Sequence, residues 1–233
     1  MAELEWVEVT TIGDLLVRAA ATWPDNEALL IAGDRRTFAD ILARAEEAAR
    51  SFLALGLKPG DRVGILMPNC HDFVTIEFAC AMLGMPFVPI NARYKAYELS
   101  YVLRDAELAA VVTTDVIVDY VDFAGLLAEA TVDRPPALKH LILLGTSTRE
   151  GFLDRAAFEA AAAGATNEQV HYLRESVTVR GEAMMMYTSG TTSQPKGCVI
   201  SHEALVRVGI EQAIRWELQD RKSTRLNSSH TDI

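Results

Sequence analysis

Cysteine is scarce in this chain, and none of it is spaced for a metal or a disulfide framework. Cys70, Cys80 and Cys198 are an odd number with no C-x-x-C pair. They read as free thiols in a reducing cytoplasm, so no metal-ligating residues are predicted. An excess of positive charge is also missing. The formal net charge is −10, which excludes the broad basic face that nucleic-acid binding requires. It does not exclude a local anion site. No apolar run is long enough to span a bilayer. Glu3, Glu5 and Glu8 stand where a signal peptide would carry its basic region, so a cytoplasmic location is expected.

What is present suits a globular protein. Of 233 residues, 50% are hydrophobic and 23% charged, enough for a sizeable core in one large domain or two small ones. Thr11 and Asp14 have the spacing of a capping box, ahead of a helix with Ile12, Leu15, Leu16 and Ala19 on one face. Trp23-Pro24 ends it. Residues 27–31 read as a strand and Gly33-Asp34 as a turn. Thr37 and Asp40 form a second box, opening a helix striped by Phe38, Ile41, Leu42, Ala45, Ala49, Phe52 and Leu53. Gly56 is its C′ residue.

From Arg62 the pattern alternates. Strands are predicted over 62–67, 86–90, 109–113 and 140–144, and helices over 71–83, 97–105, 115–130 and 155–163. This predicts an α/β fold, a mostly parallel sheet flanked by helices. Residues 164–180 lose the pattern and read as a surface linker. Ala183 to Met186 reads as a buried strand, Cys198 to Ile200 as another, and a helix follows from Ser201 through Ile214.

Between those last two strands lies Tyr187-Thr188-Ser189-Gly190-Thr191-Thr192-Ser193-Gln194-Pro195-Lys196-Gly197. Hydroxyls that donate, glycines that let backbone N–H groups approach, and one ammonium make a chemistry suited to a phosphate chain. Lys196 is the only full charge in the loop. Gly190 and Lys196 have the Walker offset, but Pro195 stands for its second glycine and Gly197 for its Ser/Thr. Proline has no N–H to donate, and the hydroxyl that would hold magnesium is gone. This is a different phosphate loop.

The stretch resembles the signature loop of the adenylate-forming enzymes: acyl-CoA synthetases, firefly-type luciferases and non-ribosomal adenylation domains. Ser193 stands where that family usually has Gly, a loss of loop freedom. Residues 57–63 with Met67-Pro68-Asn69, and residues 84–91, look like the early segments of acyl-CoA synthetases. The resemblance covers about residues 10 to 218. It implies an ATP-dependent acid–thiol ligase, which activates a carboxylate as an acyl-adenylate and passes it to coenzyme A. It implies that Thr188, Ser189, Gly190, Thr191, Thr192, Lys196 and Gly197 bind the ATP phosphates, with Lys196 offsetting charge on the leaving pyrophosphate. Magnesium is implied too, with ligands outside this chain.

An adenylation domain that loads a carrier protein, or a non-catalytic nucleotide-binding fragment, are the alternatives. The family's later adenine, ribose and metal segments and its mobile C-terminal domain have no counterpart here. Residues 1–220 are therefore expected to be the N-terminal portion of the large domain, inactive alone. The carboxylate and the oligomeric state are left open. Residues 221–233 shift to a polar, basic composition; they read as translated adapter or vector sequence, with a native disordered terminus as the alternative.

Other polar residues take ordinary readings. His202 is expected in the first helical turn after a Ser cap, and His71 and His140 to be structural. Met184 to Met186 should be strand core, and Glu46-Glu47 a solvated helix face.

Overall fold

The computed structural model describes residues 10–188 and 194–215. Its centre is strand β5 (Leu108–Thr113), in which every residue is buried. Such a strand must be covered on both faces, and that is how the chain is wound. In order come α1 (Ile12–Thr22), β1 (Glu27–Ile31), β2 (Asp34–Thr37), α2 (Phe38–Ala54), β3 (Arg62–Leu66), α3 (His71–Met82), β4 (Phe87–Pro89) and α4 (Ala96–Asp105). After β5 follow α5 (Phe123–Ala130), β6 (His140–Leu143), β7 (Leu153–Asp154), α6 (Arg155–Ala161), α7 (Asn167–Ser176), β8 (Glu182–Thr188), β9 (Lys196–Ser201) and α8 (His202–Arg215).

The main sheet has seven strands in the order β7-β6-β5-β3-β4-β8-β9. All neighbours are parallel except β8 and β9, which run antiparallel. Helices flank both faces, as the alternating sequence pattern predicts. On one face Val63, Ile65, Phe87, Val112 and Ile142 pack with Ile41, Ala45, Phe52 and Ile76 of α2 and α3. On the other, Leu66, Val88, Val111 and Leu141 pack with Leu99, Leu103, Phe123 and Leu127 of α4 and α5. Gly64 is held to glycine by this second face: a Cβ there would lie 2.7 Å from Leu108 Cδ1 and 2.9 Å from Ile90 Cδ1, closer than packed carbons tolerate. No helix among the described residues is long and apolar enough to cross a membrane.

The caps follow the sequence closely. At α2, Asp40 N donates to Thr37 Oγ1 at 3.1 Å and Thr37 N to Asp40 Oδ2 at 2.9 Å, a complete capping box. At α1 the Thr11 half forms, Asp14 N to Thr11 Oγ1 at 3.2 Å. The Asp14 carboxylate instead pairs with Arg174 of α7. Gly56 sits at φ +78° and closes α2.

Four elements differ from expectation. The turn falls one residue early, at Ala32 (φ +51°) and Gly33 (φ +85°), so that Ile31 pairs with Asp34. This is a two-residue hairpin turn with both φ positive, and the charged β2 it leads into carries no apolar alternation to read. The helix expected over 115–130 begins at Phe123, because the Asp122 carboxylate caps it by accepting from Gly125 N at 2.7 Å. Residues 167–176, read as linker, are α7. Its capping box of Thr166 and Gln169 is intact, but Val170 is its one buried residue, too little apolar signal to register as a helix. The short β7 was also not anticipated.

Glu77 on α3 is a cost within this packing. Burial raises its carboxyl from the ordinary 4.5 to about 7, and the described residues give it no hydrogen bond or ion pair. A folded pKa above the unfolded one favours the folded state below pH 4.5, and that advantage is lost as pH rises through about 7. Glu77→Gln removes the ionising group. The variant is expected to gain about 2 kcal/mol over the parent chain at pH 8, where the carboxylate is charged, with little difference at pH 5. Urea unfolding at the two pH values measures this, and a gain of the same size at both contradicts it.

Candidate phosphate-binding site

The site is built where β8 leaves the core. Ala183, Met184 and Met185 are buried, whereas Met186 is 43% exposed, so the expected strand core stops one residue short. At the end of the hairpin Tyr187 pairs with Gly197 and Thr188 with Lys196. Because β8 runs parallel to β4, Thr188 emerges at the carboxyl ends of the parallel strands, the edge at which open α/β sheets bind ligands.

The register therefore brings Thr188, Lys196 and Gly197 together. Ser189, Gly190, Thr191 and Thr192 lie outside the described residues. Thr188 and Lys196 are both exposed. Lys196 makes no ion pair with any described residue. A hydroxyl and an ammonium with no described partner, on paired positions at this edge, fit a phosphate group. Gly197 has a packing role as well: a Cβ there would sit 3.0 Å from Met185 Sδ and 3.2 Å from Tyr187 Cζ.

Tyr187 anchors the hairpin. Its hydroxyl donates to Asp105 Oδ2 at 2.6 Å, and Tyr101 donates to the other oxygen of the same carboxylate at 3.1 Å. Burial, then the bond to Asp105, holds the Tyr187 phenol well above its usual range, so it stays a neutral donor. At the other end of β8, Arg62 of β3 reaches Glu182 at 3.2 Å. Nothing in the sequence marks Asp105: as the last residue of a helix it carries no sign of a partner 82 positions away.

Two further anchors hold the same sheet edge. Asp115, just past β5, accepts from Ser147 N at 2.7 Å, Ser147 Oγ at 2.5 Å and Thr146 N at 3.0 Å. Partial burial opposes ionisation, but the bonds from Ser147 and Thr146 keep this carboxyl below its ordinary range. Gly145 makes the approach possible, since a Cβ would overlap the Asp115 carboxylate. Arg155 of α6 forks onto Asp72 in the first turn of α3, at 2.5 and 3.4 Å, and donates to Leu144 O at 3.2 Å.

The histidines take structural places. His202 is the first residue of α8, fully buried, and its Nδ1 accepts from Ile12 N at 3.4 Å. Ser201 Oγ caps that helix by accepting from Ala204 N at 3.3 Å. His140 Nε2 lies 2.9 Å from Leu55 O, and His71 Nε2 lies 3.4 Å from Asp34. Glu46, expected to be solvated, is instead tucked against His171 at 3.0 Å with 17% of its side chain exposed. Among the described residues no cluster of His, Cys, Asp and Glu could hold a metal ion.

Known proteins are similar to this chain in sequence and fold. A medium-chain acyl-CoA ligase of Danio rerio mitochondria is 29% identical over 94% of this chain and 38% of its own length. A long-chain-fatty-acid–CoA ligase of Bacillus subtilis is 28% identical over 88% of this chain and 39% of its own. The solved structure of MbtA from Mycobacterium smegmatis matches 85% of this chain and 35% of its own with a TM-score of 0.71 and 26% identity. The chain thus spans less than half the length of the relatives it matches. Residues 16–230 match the family described as AMP-binding enzyme. With that match laid over the parallel sheet and its hydroxyl-and-lysine hairpin, this chain belongs to the AMP-binding enzyme family.

Proposed function

We propose that the protein, at the length of its relatives, is an ATP-dependent ligase that activates a carboxylate as an acyl-adenylate and then passes the acyl group to coenzyme A. The observation that carries this reading is the pairing of Thr188 with Lys196 at the carboxyl edge of the sheet, the ammonium free of any described partner. ATP supplies the electrophilic phosphorus and the pyrophosphate leaving group. Within this chain, the Thr188 hydroxyl donates to phosphate oxygen and Lys196 offsets the negative charge that grows on pyrophosphate. This is electrostatic stabilisation on a prepositioned scaffold. Tyr187, fixed on Asp105, sets where that scaffold stands. Magnesium is assigned to ligands beyond the described residues.

Coenzyme A is favoured over a carrier protein as acceptor because the Danio and Bacillus relatives are CoA ligases by name. The carboxylate is not specified by any residue described. An exposed charge pair contributes only about 0–1 kcal/mol. A phosphate loop on its own therefore holds ATP no better than millimolar, about −4 kcal/mol.

In a protein carrying this chain at the relatives' full length, Lys196→Ala is expected to slow carboxylate-dependent ATP–pyrophosphate exchange by roughly 100-fold or more, the scale of one lost charge-stabilising donor. Transfer from preformed acyl-adenylate to coenzyme A should change far less, because pyrophosphate has already left. Exchange at the unsubstituted rate would remove Lys196 from the mechanism. The 233-residue chain alone, given ATP, magnesium, coenzyme A and a panel of carboxylates, is expected to release no AMP above background. Robust AMP release would show that the chain holds a complete site.

A further inference from the structure

An apolar pocket of about 540 Å³ lies among α1, β1, α2 and α3. It exists because β1 and β2 form a two-stranded sheet of their own instead of joining the main sheet. The gap left between α1 and β1 is floored by Leu16 and Ile41, both buried. Phe38 of α2 and Phe78 of α3 pack against the core and are left partly exposed along it. Trp23, the residue after α1, lines it as well and is 54% exposed. Backbone bonds hold this frame: Trp23 N donates to Ala19 O at 2.8 Å, and Phe38 N to Asn26 O and Ala39 N to Pro24 O at 3.1 Å each. The hairpin is also tied to α3, where His71 Nε2 lies 3.4 Å from Asp34. The pocket is thus formed before any ligand arrives, and its volume falls among small-molecule sites, about 300–1,000 Å³.

The wall defines what would fill it. Arg18 and Thr22 are its polar residues, and both are exposed. The Thr22 hydroxyl donates to Arg18 O at 2.7 Å, and Arg18 is itself engaged within the protein. What the wall offers is chiefly apolar contact, so a body that needs hydrogen bonds would lose water here without replacement. Trp23, Phe38 and Phe78 are aromatic, and rings gain from other rings set edge-on or offset, beyond the area they bury. The wall is far smaller than the roughly 800 Å² per partner that a stable protein interface buries. That favours a small molecule over a second copy of the chain.

We propose that this pocket binds a small molecule through an aromatic hydrocarbon body of one or two rings, seated over Leu16 and Ile41 and among the rings of Trp23, Phe38 and Phe78. None of the lining residues belongs to β8 or β9. The site is separate from the phosphate hairpin, and it stands whether or not the proposed ligase activity does.

The test is a titration of this chain with 2-naphthol, followed through the indole N–H resonances of its three tryptophans, Trp6, Trp23 and Trp216. Trp23→Phe assigns the resonance, and 2-decalol is the saturated counterpart of the probe. Ala19→Phe and Thr22→Phe each narrow the pocket from α1 and leave the buried Leu16 and Ile41 in place. 2-Naphthol is expected to shift the Trp23 resonance saturably while those of Trp6 and Trp216 keep their positions. 2-Decalol is expected to bind about twofold to tenfold more weakly, the scale of lost ring–ring contact. The narrowed variants are expected to lose the response. A Trp23 resonance that 2-naphthol does not move would overturn the proposal, as would a response that survives both variants or 2-decalol binding as tightly. A Trp23 resonance that moves with protein concentration alone would make a second copy the occupant. A response gained only in Trp6→Ser would make the chain's own N-terminal segment the occupant. Either result overturns the proposal as well.

Discussion

A strand buried along its whole length dictates the rest of this molecule. β5 exposes none of its residues, and β3 beside it exposes almost as little. Burial of apolar surface at about 25 cal/mol per Å² drives such strands inward, but their backbone groups must still be paired. Parallel neighbours satisfy the backbone, and helices laid over both faces satisfy the side chains. Each crossover then returns the chain to the same end of the sheet. Loops that can carry chemistry collect at the other end, where β3, β5, β6 and β8 finish. The β8–β9 hairpin, proposed above to meet phosphate, opens at that end.

The hairpin is also the place where the parallel rule breaks. β9 turns back along β8, and this is what puts Lys196 opposite Thr188. A parallel crossover would have separated them. Tyr187 on Asp105 and Arg62 on Glu182 hold β8 at both ends to elements of the core, so the register of the pair is fixed from outside the loop. Charge is economical here. Arg and Asp side chains near this edge are engaged with one another, as in Arg155 with Asp72 and Arg149 with Asp122, and Lys196 has no ion pair among the described residues.

Much of this was legible in the sequence, for reasons that differ from element to element. The capping residues Thr37 and Asp40 and the αL Gly56 act through local geometry, which sequence spacing reports directly. The buried strands of the sheet announced themselves as apolar runs. The signature loop marks the family because its hydroxyls, glycines and lysine stand in adjacent residues, and Lys196 and Gly197 stand where a strand begins. What escaped notice depends on distant partners or on weak local signal. α7 is polar around most of its circumference and is held by Val170 and by Arg174 on Asp14. β2 is three charged residues and a threonine, given strand form by its hairpin turn. Asp105, Asp115 and Glu77 look like ordinary surface acids in the sequence. Their roles as anchor, clamp and buried cost exist only once the chain is folded around them.

If Lys196 meets phosphate at the end of the hairpin, as proposed, its ammonium must respond to a phosphate ligand. The direct measurement is a titration of this chain with inorganic pyrophosphate at low ionic strength, following the ammonium resonances of the lysines. The expected result is a saturable shift at Lys196, at millimolar pyrophosphate, that weakens as salt is added and has no equal at Lys58 or Lys95. A Lys196 resonance that does not move, or one that moves in step with every other lysine, would contradict it.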